Sequence, residues 1–244
     1  MANPTAAFLV IGDEILSGRT HDKNIGFLAE KLTEAAIDLK EVRVVDDDHE
    51  NIMRGVQDLA ERWDHVFTSG GIGPTHDDIT ADAIAAAFKI PIGVRDDARA
   101  LLEAHTNRIG IDLNEARLRM ARIPDGAVLI DNPVSVAPGF TIENVHVMAG
   151  VPAVFQAMVG SVVSGLAGGE PLISRTLRID LPEGEIAGPL GQVASLHQEV
   201  SIGSYPFILQ GKFGANIVFR CSSQTTLDVA VKALVNLFPI AVEQ

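Results

Sequence analysis

Three short segments carry residue types that can handle a phosphate and its counter-cation. The most informative is TSGGIGPTHDDIT at residues 68–80, where an apolar run ends in Ser69, Gly70, Gly71 and Gly73. Glycine admits positive φ and lets an anion approach backbone N–H groups closely. Pro74 stiffens the far side of the turn. Asp77 and Asp78 then precede a helical pattern that has Thr80 in its first turn. Helix N-termini favour anions. A carboxylate there either caps the helix or holds a divalent cation such as Mg²⁺ on a bound phosphate. The loop is neither a Walker A sequence nor a G-x-G-x-x-G fingerprint.

The second segment, GDEILSGRTHDKN at residues 12–24, offers Asp13, Glu14, Asp22 and Asn24. Ordinary roles for these acids are a turn carboxylate at Glu14 and a helix cap at Asp22. The third is Asp46, Asp47 and Asp48, where two of the three are expected to serve only a solvated turn or a helix cap.

The elements that position these segments alternate. Residues 6–11 form an apolar run that reads as a buried strand. Residues 24–36 have helical spacing, 39–45 alternate like a strand, and 49–63 are helical again. The short strand HVFT at 65–68 runs into the glycines, followed by helices over 80–88 and 98–108. Strands separated by helices predict parallel pairing with right-handed crossovers. In such a sheet ligands bind at the carboxyl ends of the strands, so all three segments share one rim if their strands are neighbours. Short strands follow from residue 127, and Pro152 opens a last helix over 151–166.

A break at 167–171 predicts two domains, 1–167 and 171–244. The second reads as a β-α-β-β-α module, although Gly188, Pro189 and Gly191 weaken its first helix. The expected architecture is a doubly wound, mostly parallel α/β sheet followed by a small α+β domain.

Composition bounds the function. The chain has 244 residues, 47% hydrophobic and 21% charged, as in ordinary globular proteins. Lys and Arg total 19 against 32 Asp and Glu, a formal charge of −13, which argues against broad nucleic-acid binding. No apolar stretch approaches the ~20 residues of a membrane helix. No basic region precedes the first apolar run, so it does not read as a signal peptide. A cytoplasmic location is the expectation. Cys221 is the only cysteine, and it reads as a small core residue. None of the seven histidines has a metal-binding spacing; only His76, inside the glycine loop, is a candidate ligand contact. Arg117, Arg119 and Arg122 form a basic cluster, read either as a solvated helix face paired with carboxylates or as a phosphate contact.

The spellings GDEILSGRTHDKN, TSGGIGPTHDDIT and NPVSVAPGF (132–140) together resemble the molybdopterin-binding domain of molybdenum-cofactor biosynthesis proteins. Within that superfamily they are closest to the N-terminal part of competence/damage-inducible protein A, over roughly residues 5–165. The trailing module resembles, by order and length, the KH-type domain of the same proteins, without a G-x-x-G loop after its first helix. The resemblance implies a phosphate-bearing ligand, either molybdopterin or an adenine nucleotide, with Mg²⁺ or another divalent cation. It implies Asp13, Asp77 and Asp78 as catalytic, and Asp13, Glu14 and Asp77 as metal ligands. It implies Ser69, Gly70, Gly71, Gly73, Thr75, Thr80, Asn24, Asp22 and Asp47 as ligand-binding. It also implies a homo-oligomer, dimer or trimer. Two reactions come with the fold: adenylylation of molybdopterin, and cleavage of the ADP-ribose pyrophosphate. Three positions depart from the family pattern: Ala149 for a proline, Val154 for a glutamate and Ser135 where a glycine is common. The alternative is therefore a non-catalytic binding or regulatory protein. The nicotinamide-nucleotide deamidase domain of long relatives is not expected.

Overall fold

The computed structural model describes residues 3–209 and 211–244. The chain divides into two compact units, 1–169 and 170–244. In the first, the order is β1 (Thr5–Ile11), α1 (Asp13–Leu16), α2 (Asn24–Glu34), β2 (Asp38–Val45), α3 (His49–Arg62), β3 (His65–Ser69), α4 (Thr80–Phe88), β4 (Ile92–Val94) and α5 (Asp96–Ile109). Then come α6 (Glu115–Leu118), a 3₁₀ turn (Arg119–Ala121), β5 (Arg122–Pro124), β6 (Val128–Ile130), β7 (Gly139–Ile142), β8 (Val145–Met148) and α7 (Pro152–Val163).

The main sheet runs β2-β1-β3-β8-β7-β6. Pairing is parallel from β2 to β8 and antiparallel from β8 through β7 to β6. Both faces of β1 are buried, which is why it reads as a continuous apolar run. Successive side chains point to opposite faces. Ala7, Leu9 and Ile11 join the core under α3 and α4, with Ile52, Val56, Leu59 and Ile84. Ala6, Phe8 and Val10 join the opposite core under α2 and α7, with Leu28, Leu32, Phe155 and Met158. Phe8 stacks on Phe155 at 5.4 Å, both fully buried. Burial of each ring contributes about 1.5–3 kcal/mol. This is the doubly wound arrangement expected from the alternating pattern.

The structure adds a two-stranded antiparallel sheet, β4 with β5, which the sequence does not announce because each strand has three residues. It also divides the arginine cluster. Arg117 lies in α6, Arg119 in the 3₁₀ turn and Arg122 in β5, so no single helix face carries them. Among the described residues, Arg122 alone of the three pairs with a carboxylate, that of Asp82.

The second unit comprises β9 (Ile173–Ile179), α8 (Glu183–Leu196), β10 (Ser201–Leu209), β11 (Lys212–Cys221), α9 (Gln224–Leu237) and β12 (Val242–Glu243). Its antiparallel sheet runs β10-β11-β9-β12. Helix α8 forms despite Pro189. Burial of Ile186 and Val193 in the core with Ile217, Phe219 and Leu234 outweighs the weak propensity. Gly211 and Gly214 belong to the β10–β11 hairpin, and Gly214 packs against the Phe207 ring. Cys221 is buried in β11, as expected of a core residue.

Candidate functional site

Strand order decides where the three segments meet. β2 pairs on one side of β1 and β3 on the other, so the order of strands reverses at β1 while all three run parallel. Ile11 pairs with Val45, Val10 with Ser69, and Ser69 with Met148, which brings four carboxyl ends to one rim. A cleft of about 490 Å³ opens there. Glu14, Asp47, Gly70, Gly71, Gly73, Asp77 and Asp78 all line it. These residues come from three segments far apart in sequence.

The glycine turn is held by close backbone packing. Gly70 has φ +108°, and its N–H donates to the Met148 carbonyl (3.1 Å). Gly71 has φ +68°; a Cβ there would overlap the Thr80 hydroxyl, and its carbonyl accepts from Thr80 N–H (3.0 Å). Thr80 is fully buried beneath this turn, and its Oγ1 has no hydrogen-bond partner. Asn24 is also buried. Its Nδ2 donates to Ser69 Oγ (3.3 Å) and to the Gly150 carbonyl (2.9 Å), tying α2 to the ends of β3 and β8. Asn24 Oδ1 lacks a partner. Thr80, Asn24 and Ser69 therefore brace the turn from behind and are not part of the cleft wall.

The remaining assigned residues divide by role. Asp22, one residue before the N-cap position Lys23 of α2, accepts through Oδ1 from the N–H groups of Asn24 (3.0 Å) and Ile25 (2.7 Å) and so satisfies the first turn of that helix. Asp48 caps α3 through Glu50 and Asn51, and Asp46 accepts from Asn51 Nδ2. Asp47 is thus left to face the cleft. Neither Asp77 nor Asp78 caps α4, whose N-cap position is Ile79 without a side-chain bond. Asp78 instead closes the loop on Thr75, accepting from its N–H (2.8 Å) and its hydroxyl. Asp77 is exposed. Asp13 presents its N–H to Asp47 Oδ2 (3.0 Å), while its own carboxylate is exposed and lies off the cleft wall. His76 is 99% exposed and also lies off that wall.

Asp47 carries the main electrostatic signal. Burial raises its carboxyl above the usual value, and the charges of Asp13, Glu14 and Asp77 push it further up. Among the described residues, no group of three or more acidic, histidine or cysteine side chains is gathered as a ready metal site. Asp13, Glu14 and Asp77 are thus not drawn into one ligand cluster. Mg²⁺ commonly takes only one or two carboxylates and completes its shell with phosphate oxygens and water. The hard oxygen donors of Glu14, Asp47 and Asp77 on one wall fit that requirement.

Sequence reasoning quotes NPVSVAPGF only as a motif, yet Asn132 and Ser135 line the cleft. Buried Asn132 organises the whole loop. It donates to Ser135 Oγ (2.7 Å) and the Ala137 carbonyl (2.8 Å), and accepts from Val134 and Ser135 N–H (both 3.1 Å). The Asn-Pro pair is the available signal, since Asn side chains build such turns. Within the loop Val136 has φ +67°. A β-branched residue in that region costs about 1–2 kcal/mol. Val136→Asn is expected to raise unfolding free energy by about 1 kcal/mol, because Asn tolerates this backbone. Denaturant titration checks it, and a lower midpoint would mean that lost packing of the valine outweighs the strain.

An open, mainly parallel sheet with a glycine turn and carboxylates at its switch point defines a class: α/β domains whose ligand sites lie at the carboxyl ends of the strands. The comparisons narrow it. Residues 7–169 match the family described as "Probable molybdopterin binding domain", and residues 171–244 match "FAD synthase, middle domain". The chain belongs to the molybdopterin-binding domain family. A crystal structure of the protein CinA, of unknown function, from Thermoplasma acidophilum is 32% identical with TM-score 0.61, covering 66% of this chain and 96% of that one. A "Probable FAD synthase" of Caenorhabditis elegans is 33% identical over 94% of this chain, which spans 49% of that protein. A "Putative competence-damage inducible protein" of Halothermothrix orenii is 34% identical over 63% of this chain and 37% of its own length.

Proposed function

We propose that the first unit binds a phosphoanhydride ligand, an adenine nucleotide or molybdopterin, together with a divalent cation, and acts on its phosphates. The single observation behind this reading is that the 70–73 turn and the carboxylates of Glu14, Asp47, Asp77 and Asp78 share one cleft. Backbone N–H groups of the turn take phosphate oxygens. One or two of Glu14, Asp47 and Asp77 donate to the cation, and phosphate oxygens and water complete its shell. When bound, Mg²⁺ neutralises charge on the phosphates and on the leaving group. Ile72, Met120, Val151 and Val154 form an apolar wall against which a flat ring packs and which keeps water away. The activities in view are hydrolysis of an ADP-ribose-type pyrophosphate and adenylyl transfer to molybdopterin. A cytoplasmic homo-oligomer, dimer or trimer, is part of the same reading; light scattering measures the latter.

The test is incubation with ADP-ribose or ATP and Mg²⁺, followed by chromatography for AMP, alongside calorimetric titration. Asp77→Asn removes an exposed charge with no packing role and is expected to weaken Mg²⁺-dependent binding roughly 10-fold or more. Its unfolding temperature should stay within a degree or two of the parent (roughly ±0.5 kcal/mol). Equal affinity in Asp77→Asn and the parent chain rejects the assigned site. A second reading, binding without turnover, is favoured by Val154, an apolar side chain on the cleft wall where the family pattern has a carboxylate. Mg²⁺-dependent binding without AMP release would select it.

A further inference from the structure

Behind the glycine turn lies a second, smaller pit of about 20 Å³, room for roughly one water. It shares Gly71, Ile72, Gly73, Asp78 and Met120 with the cleft, so the two adjoin through the turn. Two cations line the pit, and none lines the cleft. Arg122 is neutralised by Asp82. Arg119 has no carboxylate partner among the described residues. Its Nη2 donates to the Asp78 carbonyl (3.2 Å), while its Nε–H is buried and bonded to nothing.

A buried guanidinium N–H without an acceptor is costly, and this one sits beside a turn suited to anions in a cleft walled by carboxylates. We propose that Arg119 is a phosphate-contacting residue whose Nε–H takes an oxygen of the ligand held in the 70–73 turn. This inference rests on the phosphate-cradle reading given above. Arg119 supplies the positive charge that the cleft wall itself lacks. Its tie to the Asp78 carbonyl holds the guanidinium beside the turn. Charge and N–H geometry both matter, so lysine is expected to replace it only in part.

The probe is inorganic pyrophosphate with Mg²⁺, read in two ways. In calorimetry, Arg119→Gln is expected to weaken binding about 10- to 100-fold, with Arg119→Lys intermediate. Arg117→Gln, whose parent side chain donates to the Asp112 carbonyl and does not line the pit, should bind as the parent chain does. In arginine side-chain ¹H–¹⁵N spectra of the parent chain, one Nε–H signal is missing from Arg119→Lys. That signal should move downfield on adding Mg²⁺-pyrophosphate. The spectrum needs no folded Gln variant, and a purely structural arginine would not shift. An unmoved signal, or equal affinity in Arg119→Gln, overturns the assignment to Arg119 while leaving the cradle intact. Absence of pyrophosphate binding by the parent chain overturns the cradle reading and this inference with it.

Discussion

Replacing Gly70 by alanine is expected to cost about 2–6 kcal/mol of stability and to abolish ligand binding. Two separate terms add. At φ +108° an L side chain strains the backbone by about 1–3 kcal/mol. The new Cβ would also overlap the carbonyl oxygen of Ile11 at the end of β1, in a crossing so close that a Cβ placed on Gly150 would lie 3.2 Å from Gly70 Cα. Relieving such an overlap by backbone movement costs a further 1–3 kcal/mol or so. The movement would pull β3 away from β1 at the point where the cleft opens. Gly110→Ala is the internal comparison: φ is +71°, but a Cβ there meets nothing within 4 Å, so only strain remains. Chemical denaturation of the two variants separates the terms. Loss of equal size in both would show that crowding against Ile11 contributes nothing.

Acid is expected to remove about 3 kcal/mol through one histidine. His146 lies on β8, buried between Phe67 and His65, with Thr141 Oγ1 3.0 Å from Nδ1. Burial first, then the neighbouring His65, lowers it from 6.5 to about 4. The unfolded chain therefore binds this proton at a higher pH than the folded one. Between those two values the unfolded state carries more protons, so stability rises with pH and falls as acid is added. The slope is about 1.4 kcal/mol per pH unit across this window, and the contribution is fully present above pH ~6.5. His65, also lowered by burial, adds in the same direction. Asp47, whose carboxyl is raised, works the other way, since it gains its proton more readily when folded. His146→Gln keeps a hydrogen-bonding group towards Thr141 and should flatten the profile between pH 6.5 and 4 by about one proton. Parallel profiles for the two proteins in that range would rule His146 out as the source.

The sequence and the tertiary structure divide the rest between them. Local rules identify elements where one interaction dominates. The apolar run of β1 is legible because both its faces are buried. Helix α4 begins at Thr80 and ends at Phe88, as its spacing predicts. The Asp22 bonds to the first turn of α2 and the Asp48 cap follow from short-range hydrogen bonding. The glycine spelling is likewise legible, and it falls within the stretch that matches the molybdopterin-binding domain family. Short strands such as β4 and β5 are not legible, because three residues hold no period and the pairing partner is about thirty residues away.

Residue types within a few positions of one another are enough to set the alternating α/β plan, the glycine turn and the break between the two units. Only the tertiary structure decided which carboxylates share a wall. It turned the Asp13 amide towards Asp47, left the Asp13 carboxylate exposed, set Asp78 to close its own loop, and brought Asn132 to the cleft and Arg119 to the pit beside the turn. The reason is strand order. Placing β1 between β2 and β3 is settled by burying alternate faces of one strand in two cores, a long-range packing choice that no local spacing records.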